Sequence, residues 1–179
     1  MVAITREQVE DYRFLRLYSI DMEMAKQACD LLETQSDLAV QYALLRDLVV
    51  TYARPFSTNR GRTHKRHKLR EEIVPAEMNP LHSELMTLRD QSFAHTDHDF
   101  RKPQIARWPR KGGGATYGMG FANPPYQSLL ARLAEIRQLT VVVEAAINAR
   151  ARAFELEFNQ LYPEEAAEQP PEEFKPPGV

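Results

Sequence analysis

Cysteine is nearly missing from this chain. Its 179 residues hold one, Cys29, which excludes an internal disulfide framework and a zinc site built on cysteine pairs and suits a reducing compartment. Long apolar runs are missing too. The longest, Leu139 to Ile147, is interrupted by Glu144 and falls far short of the ~20 residues that a membrane-spanning helix needs. The opening MVAITREQVEDYR carries charges throughout and does not read as a signal peptide. No membrane partner is expected, and a cytoplasmic location follows by elimination. The formal net charge is only −2, so the chain as a whole is not a basic nucleic-acid coat. Glycine is scarce, and five of the seven crowd between Gly112 and Gly120.

What is present is the mix of a soluble globular protein, 43% hydrophobic and 27% charged, with room for one domain and a real core. Charge is unevenly placed. Between Arg54 and Lys111 lie 13 of the 23 Lys and Arg residues but only 7 of the 25 Asp and Glu, a net of +6 against −8 for the rest. Arg54 to Arg70 holds seven basic residues, two histidines and no acid, while the tail from Pro163 onward holds five glutamates, five prolines and one lysine. Two readings fit the basic segment: a surface for an anionic partner, and a solvated loop.

The periodicity predicts an all-α protein. Thr5 and Gln8 have capping-box spacing. Tyr18, Met22, Ala25, Cys29 and Leu32 then form an amphipathic stripe. Ser36-Asp37 offers a second N-cap, followed by Leu38, Tyr42, Leu45, Val49 and Tyr52 on one face and by Pro55 as a stop. Asn79-Pro80 opens a third helix, with Leu81, Leu85, Leu88, Ser92 and His95 on its stripe. Periodicity fails from Asp97 to Asn123, where Ile105–Trp108 and Ala115–Tyr117 are placed to pair as a small hairpin across Gly112-Gly113-Gly114. Pro124-Pro125 precedes a final helix from Tyr126 to Leu161, about 54 Å at 1.5 Å per residue. That length suggests that one end projects or packs on a second chain. The expected architecture is a roughly four-helix antiparallel bundle over residues 1–162, with a basic loop and a Gly-rich loop or hairpin inserted, and a disordered acidic tail over 163–179.

Chemistry concentrates in the middle of the chain. All five histidines fall between His64 and His98. His64 and His67 form one His-x-x-His pair, and His95 and His98, beside Asp97 and Asp99, form another. The first lies among positive charges that oppose a cation, and no metal is assigned. Lys111 precedes the glycine run instead of following it, so the run fails as a phosphate loop. In Leu88-Arg-Asp-Gln-Ser-Phe-Ala-His95, the polar groups Arg89, Asp90 and His95 interrupt a core-facing helix. They fit either a site or an exposed ion pair beside a helix-end histidine.

The segment Leu88–Asp97 resembles the signature of the HEPN superfamily: an arginine, an adjacent polar residue and a histidine four to six positions on. The Ala-His-Thr-Asp ending and Tyr52-Ala-Arg-Pro-Phe56 are similar to the abortive-infection and toxin-like bacterial branch. The resemblance spans about Leu38 to Asp97 and the final helix; only the short motif is specific. It implies a helical homodimer with two motifs meeting at the interface, acting as a metal-independent endoribonuclease without cofactor in phage defence or beside a cognate antitoxin. Other members are silent modules that bind a nucleotide, nucleic acid or protein. Carried over, Arg89 contacts phosphate, Asp90 is the adjacent polar residue and His95 handles the proton. Asp90 departs from the asparagine often found there. On a continuous α-helix, Arg89 and His95 stand about 9 Å apart in rise and ~120° in azimuth. A twofold partner, or loss of α-helical geometry before His95, would bring them together. RNA would be held by Arg60, Arg62, His64, Lys65 and Arg66, and by a second patch including Arg101, Lys102, Arg107, Arg110 and Lys111. Phe100, Trp108 and Tyr117 are available to stack on unpaired bases.

Overall fold

The computed structural model describes residues 5–62, 66–93, 102–120 and 126–161. Among these, five α-helices and one two-stranded antiparallel sheet form: α1 (Arg6–Thr34), α2 (Leu38–Ala53), α3 (Asn79–Leu88), β1 (Gln104–Pro109), β2 (Ala115–Gly120), α4 (Tyr126–Leu130) and α5 (Leu133–Leu161). The protein is thus mostly helical, and the hairpin is its one sheet among the described residues. The expected tail lies outside them. No helix among them is long and apolar enough to cross a membrane.

Local chemistry starts the helices where expected. Thr5 and Gln8 close a reciprocal capping box, with Gln8 N–H donating to Thr5 Oγ1 at 3.2 Å and Thr5 N–H donating to Gln8 Oε1 at 2.8 Å. Asp37 Oδ1 accepts from Ala39 and Val40 N–H at the head of α2. Pro55 turns the end of α2 into a single 3-10 turn, Arg54–Phe56, and Pro80 sits in the first turn of α3.

The frame is the pair α1 and α5, each of 29 residues. Side-chain bonds run along the pair in opposite chain directions: Gln8 to Glu157, Tyr12 to Glu155, Ser19 to Asn148, Lys26 to Glu144 and Arg137 to Asp30, between 2.7 and 3.2 Å. The two helices are therefore antiparallel over nearly their whole length. Ala25, Ala28 and Cys29 keep the buried face of α1 shallow. Between them Met22, Leu45, Leu48, Val49, Leu85, Ile136, Leu139, Val143 and Ile147 form a core sealed from water. Burying one such side chain is worth about 1.5–3 kcal/mol.

The last helix differs from its expected form in two ways. It breaks at Ala131-Arg132, where Arg132 N–H reaches back three residues to Leu129 C=O at 3.0 Å. Neither proline nor glycine marks the break. Instead Arg132 turns to Glu84 on α3 at 2.6 Å and to Glu135 at 3.0 Å. Its length also carries no sign of a second chain, because α1 matches α5 residue for residue.

Candidate active site and nucleic-acid interface

The segment holding Arg89 leaves α-helical geometry at the end of α3. Arg89 N–H is shared between the carbonyls of Leu85 and Met86, and the chain widens into a π-helical turn over Arg89–Phe93. Such turns are rare and gather at functional sites. The rise and azimuth of a continuous α-helix therefore do not apply between Arg89 and the residues that follow.

Packing holds this turn from both sides. Leu88 and Ser92 face inward, and the Ser92 hydroxyl has no hydrogen-bond partner among the described residues. Phe93 lies parallel to Tyr126 of α4, 6.3 Å between centroids, and Tyr42 of α2 meets Tyr126 edge-on at 4.5 Å. On the outer side Arg89 Nη1 donates to Asp90 Oδ1 at 2.6 Å, with Arg89 about one-third exposed. Arg89 and Asp90 thus stand together. His95 lies outside the described residues.

The basic loop is fastened by its own ends. Asn59 and His67 exchange two backbone hydrogen bonds, 2.8 and 2.9 Å, which bring the two described ends of the basic segment together. His67 is the anchor. Its ring stacks on Phe14 of α1 at 4.2 Å and 8°, Nδ1 meets Tyr18 Oη at 2.8 Å, and Nε2 meets Asp11 Oδ1 at 3.3 Å. Asn59 Nδ2 also donates to Tyr18 Oη. Burial pushes the Tyr18 phenol up to about 12, so it stays a neutral hydroxyl that both donates and accepts. Arg62 N–H donates to Glu10 of α1.

This fastening gathers the arginines. Arg60 and Arg66 line an open cavity of about 670 Å³ with Thr58 and Gly61. A neighbouring cavity of about 560 Å³ is lined by Arg60, Arg62, Arg13, Glu10, Phe14 and Leu17. Of the five loop residues expected to hold RNA, Arg60, Arg62 and Arg66 come together, while His64 and Lys65 lie outside the described residues. Arg54, at the head of the basic segment, is paired with Asp21 at 3.1 Å.

No protein-family model, curated protein or solved structure matches this chain.

The second basic patch is carried by the hairpin. Lys102 is exposed at its base with φ +42°, and Arg101 lies outside the described residues. Strand pairing sets Ile105 opposite Met119, Arg107 opposite Tyr117 and Trp108 opposite Thr116. Gly112, Gly113 and Gly114 turn the chain with φ of +103°, +98° and +82°, a region where any other residue is strained. Phe100 also lies outside the described residues.

The metal alternative finds no support in His67, whose two ring nitrogens already face Tyr18 and Asp11. Among the described residues no three His, Cys, Asp or Glu side chains gather as ligands; His98, Asp97 and Asp99 lie outside them. Cys29 is buried, and burial pushes its thiol up to about 12, so it is no nucleophile at neutral pH.

Two structural roles escaped the sequence. His82 sits in the core, Nδ1 at 2.8 Å from Tyr52 Oη and its ring 4.6 Å from Phe56. Burial lowers its pKa and raises that of Tyr52. Its place beside Leu81 on the buried stripe of α3 was the available signal. Asp11 and Tyr18 as partners of the basic loop had none, because the pairing spans about fifty residues of chain.

Proposed function

We propose that this chain is a metal-independent endoribonuclease of HEPN type, working as a homodimer in phage defence or as the toxin of a toxin–antitoxin pair. The observation that carries the reading is the Arg89–Asp90 pair on a π-helical turn six residues before His95. His95 removes the proton from an RNA 2′-hydroxyl, or donates one to the leaving 5′-oxygen. Arg89 supports the charge that develops on the scissile phosphate. The arginines of the basic loop hold neighbouring phosphates without reading sequence.

The outer face of α1 supports the dimer. Leu17, Ile20, Met24 and Leu31 are exposed at intervals of three, four and seven, the seam of a coiled coil.

One observation favours a silent RNA-binding module. The Asp90 carboxylate already occupies Arg89 at 2.6 Å and repels an incoming phosphate. The deciding experiment compares wild type, His95→Ala, Arg89→Ala and Asp90→Asn on single-stranded RNA in EDTA. A nuclease gives 2′,3′-cyclic phosphate ends, loses them in the first two variants, and spares RNA with a 2′-O-methyl group at the cut site. Asp90→Asn then cleaves at least as fast as wild type. Failure of both wild type and Asp90→Asn to cleave, in folded dimers that still bind RNA, establishes the silent module.

A further inference from the structure

The β1–β2 hairpin is built unlike the rest of the molecule. Its strands contact each other extensively and none of the helices to a comparable degree. A lone two-stranded hairpin is marginal in water, yet this one leaves Ile105, Trp108, Tyr117 and Met119 exposed. Residues 102–120 carry Lys102, Arg107, Arg110 and Lys111 and no acid.

The two faces of the ribbon differ. One bears Ile105, Arg107, Tyr117 and Met119. On the other, Trp108 is the diagonal neighbour of Gly118, two residues beyond its partner Thr116. The six-membered ring of the indole lies across Gly118 so closely that a Cβ there would meet Cζ3 at 2.6 Å and Cη2 at 2.9 Å. Glycine therefore lets the ring settle onto the strand, while 55% of the residue stays exposed. Arg110 Nε donates to Thr116 Oγ1 at 2.7 Å, which steadies this guanidinium on the residue opposite Trp108.

We infer that Trp108 is a stacking platform for an unpaired nucleobase, and that the hairpin is an arm gripping single-stranded RNA. The inference rests on the proposed reading of the chain as RNA-binding and adds which form of RNA it takes and where. A supported indole with an open outer surface accepts any base, because every base has a π-face. A duplex keeps its bases stacked on one another and offers the ring nothing. Lys102, Arg107, Arg110 and Lys111 supply the sequence-independent attraction for the phosphates between bases. A ribbon that meets the described helices far less than its own partner strand follows a flexible strand without disturbing the core.

Trp108 is the only tryptophan, so its fluorescence reports on this site alone. The test titrates the full chain with dodecamers of oligo(U) and of oligo(dT), which lacks the 2′-hydroxyl, with a 12-base-pair RNA duplex, and with inorganic polyphosphate. Oligo(U) and oligo(dT) are expected to quench emission at least twofold, whereas polyphosphate and duplex bind without comparable quenching. By fluorescence anisotropy of end-labelled oligo(dT), Trp108→Leu loses tenfold or more in affinity. Trp108→Tyr stays within threefold of wild type, and Gly118→Ala weakens binding by lifting the ring. Ile105→Thr, on the opposite face, changes affinity less than twofold.

Equal quenching by the duplex overturns the inference, as does unchanged affinity in Trp108→Leu or a larger loss in Ile105→Thr. Quenching that persists in a chain that cleaves no RNA removes the nuclease reading alone. Cleavage with no quenching removes the platform alone.

Discussion

Two regions of this molecule carry similar charge and are built in opposite ways. The loop from Arg60 to Arg66 is tied at its base by the Asn59–His67 bridge and fastened to α1 through Phe14, Tyr18 and Asp11. The hairpin from Gln104 to Gly120 is held by its own ladder and by three glycines at its tip. In the loop, positive charge is given position by aromatic and carboxylate partners from a rigid helix. In the hairpin, it is given reach. Position suits phosphates whose spacing is set; reach suits a strand that must be followed.

The comparison breaks most visibly at His67. Replacing it with alanine removes a hydrogen bond worth ~1 kcal/mol and a ring stack worth about the same. Global stability should fall by about 2 kcal/mol, lowering Tm by roughly 4–8 °C. Trypsin should then cut at Arg60, Arg62 or Arg66 well before it cuts the hairpin. Unchanged Tm and proteolysis would show that the loop is not fastened through this ring.

Next in size is the salt dependence of RNA binding. Replacing Arg60, Arg62 and Arg66 together should reduce the slope of log K against log salt on single strands by about 2, at roughly 0.7 for each phosphate contact. Filter binding between 50 and 300 mM salt (chosen for this assay, about a sixfold range) measures it. An unchanged slope would assign the phosphate contacts elsewhere.

Gly113→Ala sharpens the other side of the comparison. Forcing a Cβ into φ +98° should cost about 1–2 kcal/mol, all of it confined to the hairpin. Amide exchange should quicken across residues 104–120 while the Tm of the helical body stays within 1 °C, about the width of repeat scans. A matching loss of Tm would mean that the hairpin and the helices unfold together.

The smallest effect separates His82 from His67. Burial lowers the pKa of His82, so the unfolded chain binds its proton more readily. Its contribution to stability is present above the ordinary histidine pKa and is lost as pH falls through the lower folded value. Urea midpoints measured from pH 7.5 down to pH 5 (about a unit or more either side of ~6.5) should decline less steeply in His82→Gln than in wild type. Parallel curves would remove His82 as the cause.

What was legible in the sequence was local. Thr5 with Gln8, Asp37, Asn79-Pro80 and the glycine triplet each act within four residues, and each starts or turns its element where the pattern places it. The break at Arg132 was hidden because neither proline nor glycine marks it, and the ion pair that accompanies it, with Glu84, comes from another helix. The antiparallel match of α1 with α5 was hidden because periodicity gives the face of a helix and not its partner. At the candidate site the sequence offered Arg89, Asp90 and the hairpin register. The π-helical turn left no mark in composition, since Arg-Asp-Gln-Ser-Phe suits an ordinary helix end. The anchors of the basic loop are contacts between distant parts of the chain, and no spacing rule reaches that far.

The ladder between α1 and α5 also decides how the body would answer a pull. Gln8 faces Glu157 and Asp30 faces Arg137, so force applied at Thr5 and Leu161 acts at one end of the helix pair and across it. Each cross-link then bears the load in turn, beginning with Gln8–Glu157, and the pair peels open like a zipper instead of resisting as a row loaded in parallel. Tyr12, one turn further in, is the second rung to be loaded, and Asp11 beside it holds the basic loop. Tension on this end would therefore release the arginines of the basic loop while the core around Leu48 and Leu139 was still closed.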